Sequence, residues 1–233
     1  FNSCDESCDE ETINYTLVWY DDFDNSEIDL NKWNFEFGTG NWGWGNNEAQ
    51  YYTNRPENAY IDNGILVIQA LHENYGGMSY TSARLTTKNK GDWMQGKLEI
   101  RASLPTGIGT WPAIWMLPTD WVYGGWPESG EIDIMEHVGY NPNWIHGTIH
   151  TDEYNHMDGT QLGGQIHIDD VSSNFHTYSI EWTDEYIKWY VDDVQFYSFY
   201  SDNQDDFATW PFNQNFHLII NLAIGGTWGG QQG

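Results

Sequence analysis

Only two cysteines occur in the 233 residues, and both, Cys4 and Cys8, fall in the opening "FNSCDESCDEET". No disulfide framework spans the chain, and a Cys-x3-Cys pair without neighbouring histidine makes no metal finger. The pair either closes a small local disulfide in an oxidising compartment or does nothing. The acidic segment around it has no periodicity and reads as a flexible tail over residues 1–15. Positive charge is scarce as well: eight Lys and Arg stand against 35 Asp and Glu, a net charge of −27. Such a field repels phosphate and sulfate polymers, which argues against nucleic acid, anionic membrane and highly sulfated polysaccharide as partners. It also keeps a secreted protein soluble and monomeric. No apolar run nears the ~18–20 residues of a membrane span, and no signal-peptide core is present. The expectation is a soluble, secreted chain whose true start has been trimmed. Helical periodicity is missing too, since no segment of ten or more residues keeps a 3.6-residue apolar spacing.

What the chain has in plenty is aromatic side chains, 17% of all residues, with 14 Trp and 15 Tyr. Trp and Tyr favour strands and sandwich cores, and their flat faces also suit stacking on sugars. From about residue 16 the chain runs through a dozen short segments rich in Val, Ile, Tyr, Phe and Trp, broken by Gly, Asn, Asp and Pro. They include "LVWYDDF", "GILVIQALH", "SYTSARLTT", "GKLEIRASL", "WPAIWMLP", "EIDIMEHV", "WIHGTIHT" and "FHLIINLAI". In "KLEIRA", Leu98, Ile100 and Ala102 face one way and Lys97, Glu99 and Arg101 the other, the mark of a half-buried antiparallel strand. Asp192-Asp193 in "YVDDVQFY" fits a two-residue hairpin turn. The fold class expected is all-β, a jelly-roll sandwich of curved antiparallel sheets filling residues 16–233 as one domain.

One strand carries chemistry. In "GEIDIMEHVG", Glu131 and Asp133 share a face by alternation, while Glu136 falls on the other. One extra residue, a β-bulge within Ile134-Met135, returns Glu136 to the face of its partners. Glycoside hydrolysis uses two carboxyls, roughly 5–5.5 Å apart in retaining enzymes. Four strand steps span about 13 Å, so the long side chains of Glu131 and Glu136 must lean together. Asp133 between them can hold Glu131, and mutual repulsion of three acids raises at least one pKa. Spacing alone leaves two other readings open, acids on a solvent face and calcium ligation.

The same strand and five further motifs resemble glycoside hydrolase family 16, in its laminarinase-like endo-β-1,3-glucanase branch. E-[ILV]-D-[IV]-M-E matches Glu131 through Glu136 in the bulged form. "GWGNNEAQYYT" (43–53), "YTSARLTT", "GTWPAIWMLP", "HGTIHT" with "FHTYSIEWTDEYIKWYVDD", and "NLAIGGTWGG" follow in family order. The resemblance implies a concave substrate cleft and a retaining double displacement on β-1,3-glucan, with mixed-linkage glucan or a non-catalytic glucan-recognition role as alternatives. By position, Glu131 is the nucleophile, Asp133 its assistant and Glu136 the acid/base. Trp115 packs under the sugar at the cleavage point and Trp111 against the next one. Asn46 and Arg84 bind hydroxyls, His150 borders the catalytic strand, and Trp228 lies at the cleft rim or caps the core. His137 tunes the acid or ends the strand.

The resemblance also implies a structural Ca2+ on the convex side, with Asp22 and the Gly64 carbonyl as two of its ligands, and no cofactor for the chemistry. A third ligand is expected from a final strand that the sequence, ending "GGQQG", does not contain. The expectation is that the sequence is incomplete there and that neighbouring backbone groups are left unpaired.

Overall fold

A computed structural model describes residues 14–202 and 206–230, so Cys4, Cys8 and most of the expected tail lie outside the described residues. In chain order the strands are β1 (Asn34–Phe35), β2 (Gln50–Tyr52), β3 (Ala59–Asp62), β4 (Ile65–Ile68), β5 (Leu71–Tyr75), β6 (Met78–Ser82), β7 (Arg84–Thr86), β8 (Asp92–Trp93) and β9 (Gly96–Ala102). They continue with β10 (Thr110–Pro118), β11 (Glu131–Glu136), β12 (Trp144–His150), β13 (Leu162–His167), β14 (His176–Trp182), β15 (Tyr186–Val191), β16 (Val194–Tyr200) and β17 (Phe216–Ile224). Helix among the described residues amounts to one turn, α1 (Gly226–Gly229), and a wide turn over 43–47 interrupted by left-handed Trp44 and Gly45.

An eight-stranded sheet runs β1-β7-β17-β10-β11-β12-β13, with β8 also paired to β17. A four-stranded sheet, β16-β15-β14-β9, packs across it. The main core between them contains Ile114, Met116, Ile132, Ile134, Met135, Ile145 and Ile149 from the large sheet, and Tyr178, Ile180, Trp182, Ile187, Trp189 and Val191 from the smaller. Alternation then sends the other side chains of β10, β11, β12 and β17 to the opposite face, where the acids lie. The hairpin at Asp192-Asp193 forms as expected: Val191 pairs with Val194, and both aspartates have positive φ (48° and 65°), as a type I′ turn requires.

Two expectations about strands need correction. "LVWYDDF" is not a strand: residues 17–23 have no ladder partner among the described residues, and Leu17 and Val18 are exposed. The segment is fixed by side chains instead. Trp19 packs edge-on against Trp33 and Trp93, and Asp21 accepts bonds from Trp33 Nε1 (2.8 Å) and the Phe23 N–H (3.1 Å). "GILVIQALH" and "SYTSARLTT" each supply two strands rather than one, β4 with β5 and β6 with β7.

On the core side of β10, β11 and β17 lies a cavity of about 1120 Å³, lined by Ile114, Met135, Leu218 and Ile220, by Leu98 and Ile100 of β9, and by Leu66 and Ile68 of β4. It is flanked by β9 and β4, which each end their sheet. This space is on the face of the large sheet away from the carboxylates.

Candidate active site

β11 pairs with β10 in a register that slips by one residue between Asp133 and Met135, since Trp115 lies opposite Asp133 while Ile114 lies opposite Met135. The same slip occurs against β12, where Asp133 faces Thr148 and Glu136 faces His146. This is the bulge that the spacing called for. Ile132, Ile134 and Met135 all enter the core, leaving Glu131, Asp133 and Glu136 on the other face. At the bulge the Asp133 carbonyl accepts a bond from the indole of Trp189 in the smaller sheet (2.8 Å), so the irregular backbone is held from behind.

Each glutamate is held by an indole. Trp126 Nε1 donates to Glu131 Oε2 (2.8 Å), and Trp111 Nε1 donates to Glu136 Oε1 (3.0 Å). His150, opposite Glu131 in the β11–β12 register, sets its Nε2 3.4 Å from Asp133 Oδ2 and 3.8 Å from Glu131 Oε1. Burial raises the pKa of all three acids, and like charge adds to it for both glutamates. The repulsion that the spacing implied is present, and removal from water is the larger effect. Glu131 is pushed up to about 8 by burial and then by Asp133, against the pull of His150 and Trp126. Glu136 is raised well above the carboxylate range by burial and by two facing carboxylates, Asp133 and Glu131. The environments therefore part the pair: Glu131 is better provided for as an anion and Glu136 as a protonated acid.

The motif at 43–53 serves this site through a buried chain of hydrogen bonds. Trp115 Nε1 donates to Asn221 Oδ1 (2.7 Å), Asn221 Nδ2 to Tyr52 Oη (3.1 Å), and Tyr52 Oη to Glu48 Oε2 (3.2 Å). Gln50 also donates to Glu48 (2.6 Å), and the Asn46 side chain opposes the burial that raises the pKa of the same carboxylate. Arg84 is buried, with its guanidinium between the rings of Trp44 (4.5 Å) and Trp115 (4.7 Å) and its Nε paired with Glu36.

Arg84 and Asn46 thus both act on groups that support Trp115. Trp111 is likewise only 8% exposed, and its N–H is used by Glu136. Trp228 packs edge-on against Trp111 (5.5 Å) and His146 (5.0 Å), beside the acid. His137 is 2% exposed with neither ring nitrogen bonded among the described residues, and burial followed by His146 lowers its pKa to about 4. Trp126, Trp189, Asn221 and His146 escaped sequence reasoning, because nothing in their local pattern announces partners 5 to 169 residues away.

Asp22 and Gly64 line the same cavity beside β9, and among the described residues the Asp22 carboxylate has no hydrogen-bond or ion-pair partner. One carboxylate and one carbonyl are hard oxygen donors of the kind calcium prefers, but only two of the roughly 6–8 it takes. Among the described residues, the one group of three or more His and acidic side chains within ligating distance is Glu131, Asp133 and His150.

Residues 41–233 match Glycosyl hydrolases family 16. The chain belongs to this family. It is a family 16 glycoside hydrolase with the family's jelly-roll of stacked sheets. It is 55% identical over 227 residues to a β-glucanase of Rhodothermus marinus, covering 94% of this chain and 79% of that protein. Its fold overlays the X-ray structure of the Rhodothermus marinus laminarinase with a TM-score of 0.91 at 54% identity, covering 94% of this chain and 90% of that one. A non-specific endo-β-1,3(4)-glucanase of family 16, crystallised with a gluco-oligosaccharide at its active site, overlays with a TM-score of 0.90 at 45% identity, covering 94% of this chain and 88% of that one.

Proposed function

We propose that this family 16 enzyme cleaves β-1,3-glucan internally with retention of anomeric configuration. The observation that carries the reading is the bulged β11, which puts Glu131 and Glu136 on one face with a separate indole donor for each. Glu131, with Oε2 bonded to Trp126, attacks the anomeric carbon through Oε1, while Glu136 protonates the departing glycosidic oxygen. The glycosyl–Glu131 ester that forms is opened by a water whose proton passes to Glu136, which regenerates both groups. Asp133 keeps Glu131 in place, Trp115 offers the ring under the reacting sugar, and Arg84, Asn46, His150 and Trp228 shape its surroundings. A fluorinated glucosyl substrate tests the assignment: mass spectrometry of the trapped adduct should locate the sugar on Glu131, and a label on Glu136 or no label contradicts it.

The non-specific β-1,3(4)-glucanase relative favours a second reading in which β-1,4 links next to β-1,3 links are also accepted. Rates on laminarin and on barley mixed-linkage glucan separate the two. We propose further that the enzyme acts outside the cell, where a polymeric substrate is found, as a monomeric catalytic domain over residues 16–233, with Ca2+ bound structurally through Asp22 and Gly64.

A further inference from the structure

Two carboxyls and an imidazole converge in the site. Glu131, Asp133 and His150 each offer one ligand atom, and these lie within 4.8 Å of one another. His150 Nε2 stands 3.4 Å from Asp133 Oδ2 and 3.8 Å from Glu131 Oε1, yet Asp133 Oδ2 has no hydrogen bond. Asp133 is 2% exposed, so this is a buried oxygen aimed at its neighbours and left unsatisfied. A proton on His150 Nε2 answers one oxygen; a cation at the centre answers all three atoms.

The geometry points to a binding site for Zn2+ made of Glu131, Asp133 and His150, whose occupation blocks the nucleophile. A tetrahedron with Zn–O and Zn–N bonds of ~2.0–2.1 Å has edges of about 3.3–3.4 Å, close to the two shorter separations here. Two carboxylates neutralise the ion, which suits a site removed from water. Imidazole selects against calcium and magnesium, which take oxygen ligands. Support from behind the ligands is present too. The second oxygen of Glu131 is bonded by Trp126 (2.8 Å), and Asp133 lies on the backbone that Trp189 anchors (2.8 Å). The fourth position is left to a water. A metal there engages Oε1 of Glu131, the atom assigned to attack the sugar, so zinc and glucan exclude each other. The inhibition rests on the function proposed above; the binding does not.

The experiment is calorimetric titration of the full chain with ZnCl2 in excess CaCl2, with and without a gluco-oligosaccharide, followed by laminarin assays with zinc and then EDTA. One Zn2+ per chain is expected. His150→Ala and, separately, Asp133→Asn should weaken it roughly 100-fold or more, beyond the ~10–100-fold expected for loss of an outer-shell partner. Far-UV circular dichroism establishes that both variants are folded; should one fail to fold, the other carries the test. Zinc should inhibit competitively with glucan, and EDTA should restore activity. Unchanged zinc binding in the folded variants, or zinc and oligosaccharide bound together, overturns the proposal. One zinc lost on His150→Ala in a protein without glucanase activity upholds the site and refutes the proposed function.

Discussion

The indole N–H of Trp126 reaches Oε2 of Glu131 at 2.8 Å, from a loop that precedes the catalytic strand by only a few residues. A hydrogen bond to a carboxylate favours its charged form, so Trp126 opposes the burial that raises the Glu131 pKa to about 8. As the proposed nucleophile, Glu131 must be ionised to attack, so activity should fall as pH drops through its pKa. Trp126→Phe removes the donor, raises that pKa further and should move the acid limb of kcat/KM to higher pH. At the optimum, the loss of a bond to a charged group, ~1.5–3 kcal/mol, corresponds to roughly 10–100-fold in rate. A pH–rate profile of the folded variant checks both; an unmoved acid limb contradicts the role.

Glu136 ties activity to stability in the opposite sense. Its folded pKa is raised by burial and then by Asp133 and Glu131, so the native state holds its proton more tightly than the unfolded chain does. The stabilisation is complete below the usual carboxylate pKa and is lost as pH rises through the folded value. Glu136→Gln has no proton to lose. Calorimetry should find its Tm advantage over wild type growing as pH rises, while laminarin hydrolysis falls by about 10²–10⁴-fold.

His176 gives a second pH signature far from the site. Burial pulls its pKa down, but Asp192 (2.6 Å to Nδ1) and Asp170 (3.0 Å to Nε2) outweigh it, and the net shift is upward. Its contribution is therefore full below the unfolded value of ~6.5 and fades as pH rises through the folded one. His176→Gln should lower Tm more at acidic than at alkaline pH, with catalysis unchanged at the temperature of assay. Equal losses at both ends of the range contradict the ion pairs.

Gly147, on β12, sits where any side chain meets Trp189: a Cβ there lies 2.5 Å from Trp189 Cδ1. Gly147→Ala must displace the ring that holds the Asp133 carbonyl. The overpacking should lower stability by about 1–3 kcal/mol and reduce kcat together with it, read from urea midpoints and laminarin kinetics. A variant that loses stability but keeps full kcat separates Trp189 from the bulge.

The β-rich architecture was legible because alternation is a local property, as in Leu98, Ile100 and Ala102. The bulge was legible for a related reason, since its one extra residue is written into the spacing of Glu131, Asp133 and Glu136. "LVWYDDF" misled because its apolar, β-branched composition suits a strand, yet pairing needs a neighbour, and Trp19 and Asp21 anchor it through side chains instead. The partners of Arg84, which are Glu36 and two indoles, were not legible because they come from other loops and strands. The two indoles on the glutamates show the same limit. Trp126 is five residues from Glu131 and Trp111 is 25 from Glu136, and neither spacing encodes a contact.

One inserted residue in β11 brings Glu136 onto the face of Glu131, which should make the two a retaining pair. Proton NMR of laminarin during the first turnovers tests it most directly. Retention requires β-anomeric reducing ends to appear first and equilibrate to α later; release of the α anomer first contradicts a retaining pair.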